Sequence, residues 1–188
     1  MAIFLVAAVN VAVISQIPSY LADSGYKQGE ITMITTLYLL GLTVLKLPTG
    51  WLFDKKGSMF TVVLMGTLYV IGLASMIVAI KSPLGLAGYA ALASAGATLV
   101  LIAPPILTRV FFGRKDYANI ISLVTMANML GAALAAPIAG GIRDATGSFA
   151  GAWTVCIVSI VIMVALVALG LLRVKKFENA DEMAPVAA

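Results

Sequence analysis

Six long apolar runs, parted only by short polar turns, make up most of this chain of 188 residues, and its charges gather almost wholly at their ends. A helix needs about 17 to 25 such residues to cross about 30 Å of hydrocarbon. The runs predict helices at Met1 to about Ile17, Ile31 to Phe53, Met59 to Ile80, about Leu84 to Val110, about Tyr117 to Ile142, and Phe149 to about Val174. The first sits at the lower length limit and stops before Pro18, since the residue preceding a proline is pushed out of the helical region. The fold class is all-α and integral to a membrane, one six-helix bundle over residues 1–174. Lys175 to Ala188, rich in Ala, Glu, Asp and Pro, is expected to be a disordered cytoplasmic tail.

Composition excludes the main rivals. At 62% hydrophobic and 11% charged residues, a water-soluble domain could not cover itself with polar surface. The net charge of +4 forms no patch interleaved with aromatic residues, so nucleic acid is not a partner. With no histidine, one cysteine (Cys156) inside an apolar run and no paired intramembrane carboxylates, neither an enzyme, a metal cluster nor a cofactor site is indicated. Met1 to Val13 lacks a basic n-region and a small-residue cleavage site, so it is expected to remain as a helix.

Basic residues orient the bundle. With Met1 cytoplasmic, the inner ends hold Lys46, Lys55, Lys56, Arg109, Arg114, Lys115, Arg173, Lys175 and Lys176, against Lys27, Lys81 and Arg143 outside. Both termini are therefore expected in the cytoplasm, with the lipid bilayer itself as a partner and a bacterial inner (plasma) membrane as the expected location.

Gly50-Trp51-Leu52-Phe53-Asp54-Lys55-Lys56-Gly57 and Gly140-Gly141-Ile142-Arg143-Asp144-Ala145-Thr146-Gly147 share the form G-x-(L/I)-x-D-x-x-G, ninety residues apart. Each follows a proline, Pro48 or Pro137, near the end of the second helix of a three-helix set. Residues of about 1–80 and 84–174 are thus two copies of one unit. Three intervening helices make them enter the membrane from opposite sides, the 3+3 inverted repeat of secondary transporters. Chance agreement between glycine-rich loops is the plain alternative.

These features resemble the major facilitator superfamily, whose members have twelve helices in two six-helix halves. The first octet resembles the family's cytoplasmic signature loop: Gly50, Leu52, Asp54 and Gly57 match, Lys55 stands for its basic residue, and Ser58-Met59 replace the final basic pair. Ile17-Pro18-Ser19-Tyr20-Leu21 with Gly25-Tyr26 resembles the outer end of the seventh helix. Thr108 to Lys115 resembles the loop from the tenth to the eleventh, and Pro137 through Phe149 the link from the eleventh to the twelfth. The resemblance implies the C-terminal half of such a transporter, and more loosely the monocarboxylate-porter and oxalate/formate-antiporter branch, with a small organic anion as substrate. It implies a partner for that half: the remainder of a longer protein, a separately encoded half, or a second copy. It also implies that the signature loop, with Gly50, Asp54, Lys55 and Gly57 and its outer copy at Asp144 and Gly147, gates the path.

Path-lining candidates are polar groups inside the spans. Lys46 lies seven residues before Phe53, roughly 10 Å by helical rise, on one face with Thr32, Thr35, Thr36, Leu39 and Thr43. It either meets a substrate anion, as the resemblance implies, or snorkels to the inner surface. Asn119, Ser122, Thr125 and Asn128 form a stripe that either lines the path or packs between helices. Asn10, the deepest polar group of the first helix, has the same two readings. No basic residue lies between Lys115 and Arg143, which counts against a dicarboxylate. Pro104-Pro105 are expected to kink the fourth helix. No Asp or Glu lies within a span, so no proton or sodium coupling site is visible. The rival from another class is a six-helix membrane protein that transports nothing, an assembly or scaffold factor or an inactive truncated fragment.

Overall fold

The computed structural model describes residues 2–78, 82–113, 116–147 and 149–183, among which every regular element is helical. α1 spans Ala2–Asp23, α2 Gln28–Val44, α3 Lys46–Val78, α4 Pro83–Gly88, α5 Ser94–Phe112, α6 Tyr117–Thr146 and α7 Phe149–Met183; a π-helical turn, Tyr89–Ala93, joins α4 to α5.

Prolines and glycines set most of the breaks. α2 stops at Val44 because Pro48 brings no N–H to the Val44 carbonyl. Leu45 bridges the gap with its N–H on the Gly41 carbonyl, and the Thr49 N–H picks up Leu45, so α3 resumes at once. Two helices meet inside α3 at Gly57, whose φ of 79° and ψ of 168° are outside the helical region. Among the described residues, only Gly25, Gly57, Gly113 and Gly147 have positive φ, a conformation that strains any side chain. Gly113 follows Gly25 by 88 positions and Gly147 follows Gly57 by 90.

Three boundaries differ from the sequence expectation. The second run, expected as one helix from Ile31 to Phe53, breaks at Leu45. α1 runs through Pro18 to Asp23 and buries Leu21; neighbouring helices in a membrane bundle let a helix tolerate an interior proline. α5 holds Pro104 and Pro105 inside a continuous helix, and a π-helical turn lies upstream of them. α7 continues to Met183, past the expected start of the tail at Lys175, through residues that mostly favour a helix; residues 184–188 lie outside the described residues.

α1 lies chiefly along α6, and α3 along α5, the π-helical turn and α7, while α2 and α6 both pack on α1 and α5. Lipid offers no hydrophobic drive for helix association, so close van der Waals fit must supply it. Gly96 makes such a fit: a Cβ there would come within 2.6 Å of the Met65 carbonyl oxygen and the Tyr69 Cα. A Cβ on Gly72 would strike the backbone of Ala93, which locks α3 against the π-helical turn. Large side chains fill the rest, with Tyr38 and Tyr89 stacked at 5.3 Å. Buried polar groups tie the same seam: the Thr49 and Thr98 hydroxyls share a bond of 2.8 Å.

Four described stretches are long and apolar enough to cross a membrane: Gln28–Val78, Gly85–Phe112, Tyr117–Ala145 and Gly151–Arg173. The outward faces agree, since large apolar side chains such as Leu47, Met129, Val161 and Leu169 stand exposed. In water such a surface would aggregate. In a bilayer it is solvated, and the protein is an integral membrane protein.

Candidate functional site

α2 buries one face through Ile31, Ile34, Tyr38 and Leu42, spaced at the helical period. The opposite face therefore points away from the bundle, and it exposes Thr32, Thr36, Leu39 and Thr43, with Lys46 just past the Leu45 break. Thr35 is half-buried to one side. The alignment of Lys46 with these hydroxyls thus appears on one exposed face. Thr32 donates to the Gln28 carbonyl at 2.9 Å and Thr43 to the Leu39 carbonyl at 3.1 Å. Each hydroxyl proton is thereby held by its own helix, and engaging an anion requires turning it about Cβ–Oγ, one bond exchanged for another. Lys46 needs no such exchange: among the described residues no carboxylate pairs with it.

A second polar stripe lies on α6. Asn119, Ser122 and Thr125 are exposed and Asn128 is half-buried, with Leu123, Met126 and Met129 exposed between them. Ser122 and Thr125 also return their protons to backbone, at Asn119 and Ile121. α2 and α6 each pack on α1 and α5, so the two stripes are carried by helices that flank the same pair. Asn10 belongs to neither. It is buried, and its Nδ2 donates to the Ala97 carbonyl at 3.4 Å, in the seam between α1 and α5.

The two glycine-bounded octets take different forms. In the first, Gly50 is half-buried, Asp54, Lys55 and Gly57 are exposed, and the Thr61 hydroxyl donates to the Gly57 carbonyl. Arg114 and Lys115, expected on the same side, lie outside the described residues, as does Lys81. In the second, Gly147 ends α6 with its N–H on the Arg143 carbonyl, and Asp144 stands exposed, 4.0 Å from an Arg143 nitrogen. Arg143 donates to Asp23 at 2.8 and 3.2 Å and lies over the Phe149 ring at 5.0 Å. It thus clasps the ends of α1, α6 and α7. Sequence reasoning placed Asp23 and Arg143 at membrane boundaries but did not pair them, since 120 positions separate them.

Also unforeseen is a buried cluster of Tyr38, Tyr69 and Tyr89, whose hydroxyls find no regular hydrogen-bond partner. Their tyrosine identity was the available signal, because a buried phenol normally seeks a partner. Among the described residues no group of three His, Cys, Asp or Glu is placed to hold a metal ion.

The arrangement is that of a membrane bundle bearing hydroxyls on outward faces, with Lys46 beside those of α2, and no assembled reactive constellation among the described residues. Comparison with curated proteins finds no match. A family model described as Major Facilitator Superfamily, however, matches residues 1–185. With its match spanning nearly the whole of this all-helical, membrane-embedded chain, the protein belongs to the major facilitator superfamily and is a transporter of that type.

Proposed function

We propose that the chain forms one six-helix half of a secondary carrier, built as a 3+3 inverted repeat, that moves a small organic anion such as a monocarboxylate by alternating access. The observation that carries the substrate reading is Lys46, exposed on the α2 face beside Thr43 and Thr36, without a carboxylate partner among the described residues. A lone cation suits a monoanion, because a second negative charge would remain uncompensated in a region of low dielectric. Thr125 and Asn128 on α6 offer a second set of hydrogen-bonding groups for the same path.

Two observations support the repeat. The positive-φ glycines recur at offsets of 88 and 90, once after the first helix and once after the second of each unit. The stretch Gln28–Val78 is 51 residues long. At about 1.5 Å per residue it is far longer than one crossing of about 30 Å, so the Gly57 break is read as a reversal that yields two spans. Alternating access then consists of this bundle rocking against a second one, the other half of the carrier or a second copy, across a path that the α2 and α6 faces help to line.

The test is Lys46→Gln in the assembled transporter, read by counterflow of a radiolabelled monocarboxylate in proteoliposomes. Loss of one charge-assisted hydrogen bond predicts roughly a tenfold or greater fall in transport with normal membrane insertion. Unchanged transport would instead favour a snorkelling lysine and a path lined elsewhere. The self-bonded hydroxyls of Thr32, Thr43, Ser122 and Thr125 suit the second reading, a bundle whose polar stripes serve packing alone and which transports nothing. That reading predicts no saturable uptake by the assembled protein at all.

A further inference from the structure

We propose that the cavity between the end of α5 and the start of α6 binds the phosphate of an anionic lipid headgroup. The cavity measures about 520 Å³ and is lined by Pro105, Ile106, Arg109 and Tyr117. Pro105 and Ile106 lie one helical turn before Arg109 on α5, so an apolar wall leads directly to a guanidinium, and Tyr117 lines the cavity from the start of α6.

Arg109 is exposed, and among the described residues the only arginine held in an ion pair is Arg143, at the far end of α6. A guanidinium at the edge of a hydrocarbon layer attracts an anion, and its fork of donors matches two phosphate oxygens at once. Its surroundings fix the depth. Arg109 stands in the last turn of α5, and Val110 and Phe112 beside it are 41% and 60% exposed. A cation with exposed apolar and aromatic side chains at a helix end is the composition of the membrane–water interface. Lipid phosphates are concentrated at that depth, and basic pockets between helix ends recognise such headgroups. A lipid also accounts for the apolar wall of Pro105 and Ile106, which a free phosphate ion would leave unused. The site needs no transport to be observed.

Native mass spectrometry of the chain in detergent tests the assignment, with phosphatidylglycerol, phosphatidylcholine or inorganic phosphate added. Wild type is expected to retain phosphatidylglycerol in preference to phosphatidylcholine. Arg109→Gln should bind phosphatidylglycerol roughly tenfold more weakly, and Tyr117→Leu should weaken it by a smaller factor. Arg173→Gln, the same charge change at the end of the apolar stretch of α7, should leave it unaltered, and thermal melts of the three variants verify that they are folded. Equal phosphatidylglycerol binding by wild type and Arg109→Gln would overturn the proposal, as would an equal loss in Arg173→Gln. Displacement of the lipid by millimolar inorganic phosphate would also overturn it, assigning the cavity to a soluble anion.

Discussion

The outward faces of α2 and α7 are both rich in large apolar side chains, yet they differ in what stands among them. α7 exposes Val155, Val158, Val161, Ile162, Leu166 and Leu169, has an exposed Thr154 near its start, and carries no charge before Arg173. α2 exposes Met33, Leu37, Leu40 and Val44, but with Thr32, Thr36 and Thr43 between them and Lys46 at the end. Acyl chains reward apolar surface alone, so α7 presents the face that lipid selects. A row of hydroxyls on α2, with a cation at the start of α3 just beyond it, opposes that selection and marks a face under a different demand. The contrast between the two faces, more than either helix alone, supports the proposed path beside α2.

The largest effect that sharpens this contrast comes from placing a new charge on each face. Ile162→Lys on α7 should cost about 2.5–3.5 kcal/mol in apparent insertion free energy, the price of a lysine at mid-helix in lipid. Leu40→Lys on α2 should cost less than half as much, if that face meets water. Glycosylation-tagged insertion assays of the two variants check the difference, and equal costs would erase the distinction between the faces.

Next in size is the packing behind both faces. Gly96→Ala forces a Cβ against the Met65 carbonyl oxygen at 2.6 Å, and overpacking of this kind costs about 1–3 kcal/mol. A thermal melt in detergent should show the loss, whereas Thr43→Ala, on the exposed face, should barely move the transition. A stable Gly96→Ala variant would mean that α3 and α5 do not pack as described.

Smaller still is the clasp at the far end of α6. Arg143 and Asp23 are 42% and 47% exposed, so their ion pair contributes about 0.2–1 kcal/mol, screened by salt. Arg143→Gln and Asp23→Asn should each lower the melting temperature slightly at low ionic strength, and the double variant should be no worse than the weaker single one. Additive losses would show that the two side chains act independently.

Much of this was legible in the sequence because the membrane simplifies the code. The apolar runs marked the helices, the octet ending at Gly57 marked a break that the backbone makes, and the period linking Thr32, Thr36, Thr43 and Lys46 placed them on one face; the break at Leu45, inside a run expected to be one helix, was not read from Pro48. What stayed hidden depends on partners distant in sequence. Asn10 had two readings, and only its approach to Ala97 places it in a helix seam. The Arg143–Asp23 pair spans 120 positions, and no local pattern announces it. The π-helical turn at Tyr89–Ala93 lies in an alanine-rich stretch that favours an ordinary α-helix, and it coincides with a close tertiary approach of Gly72 on α3 to Ala93.

The central claim, that the outward face of α2 borders water while that of α7 borders lipid, is tested most directly by thiol accessibility in membranes. Cys156 is buried and is replaced by alanine, after which Thr43→Cys and Val161→Cys are introduced separately. Their rates of modification by a membrane-impermeant anionic methanethiosulfonate are then compared. With Lys46 close by to draw the reagent in, Thr43→Cys should react roughly tenfold or more faster than Val161→Cys. If both cysteines are equally unreactive, the face of α2 is covered by lipid or protein and the account fails.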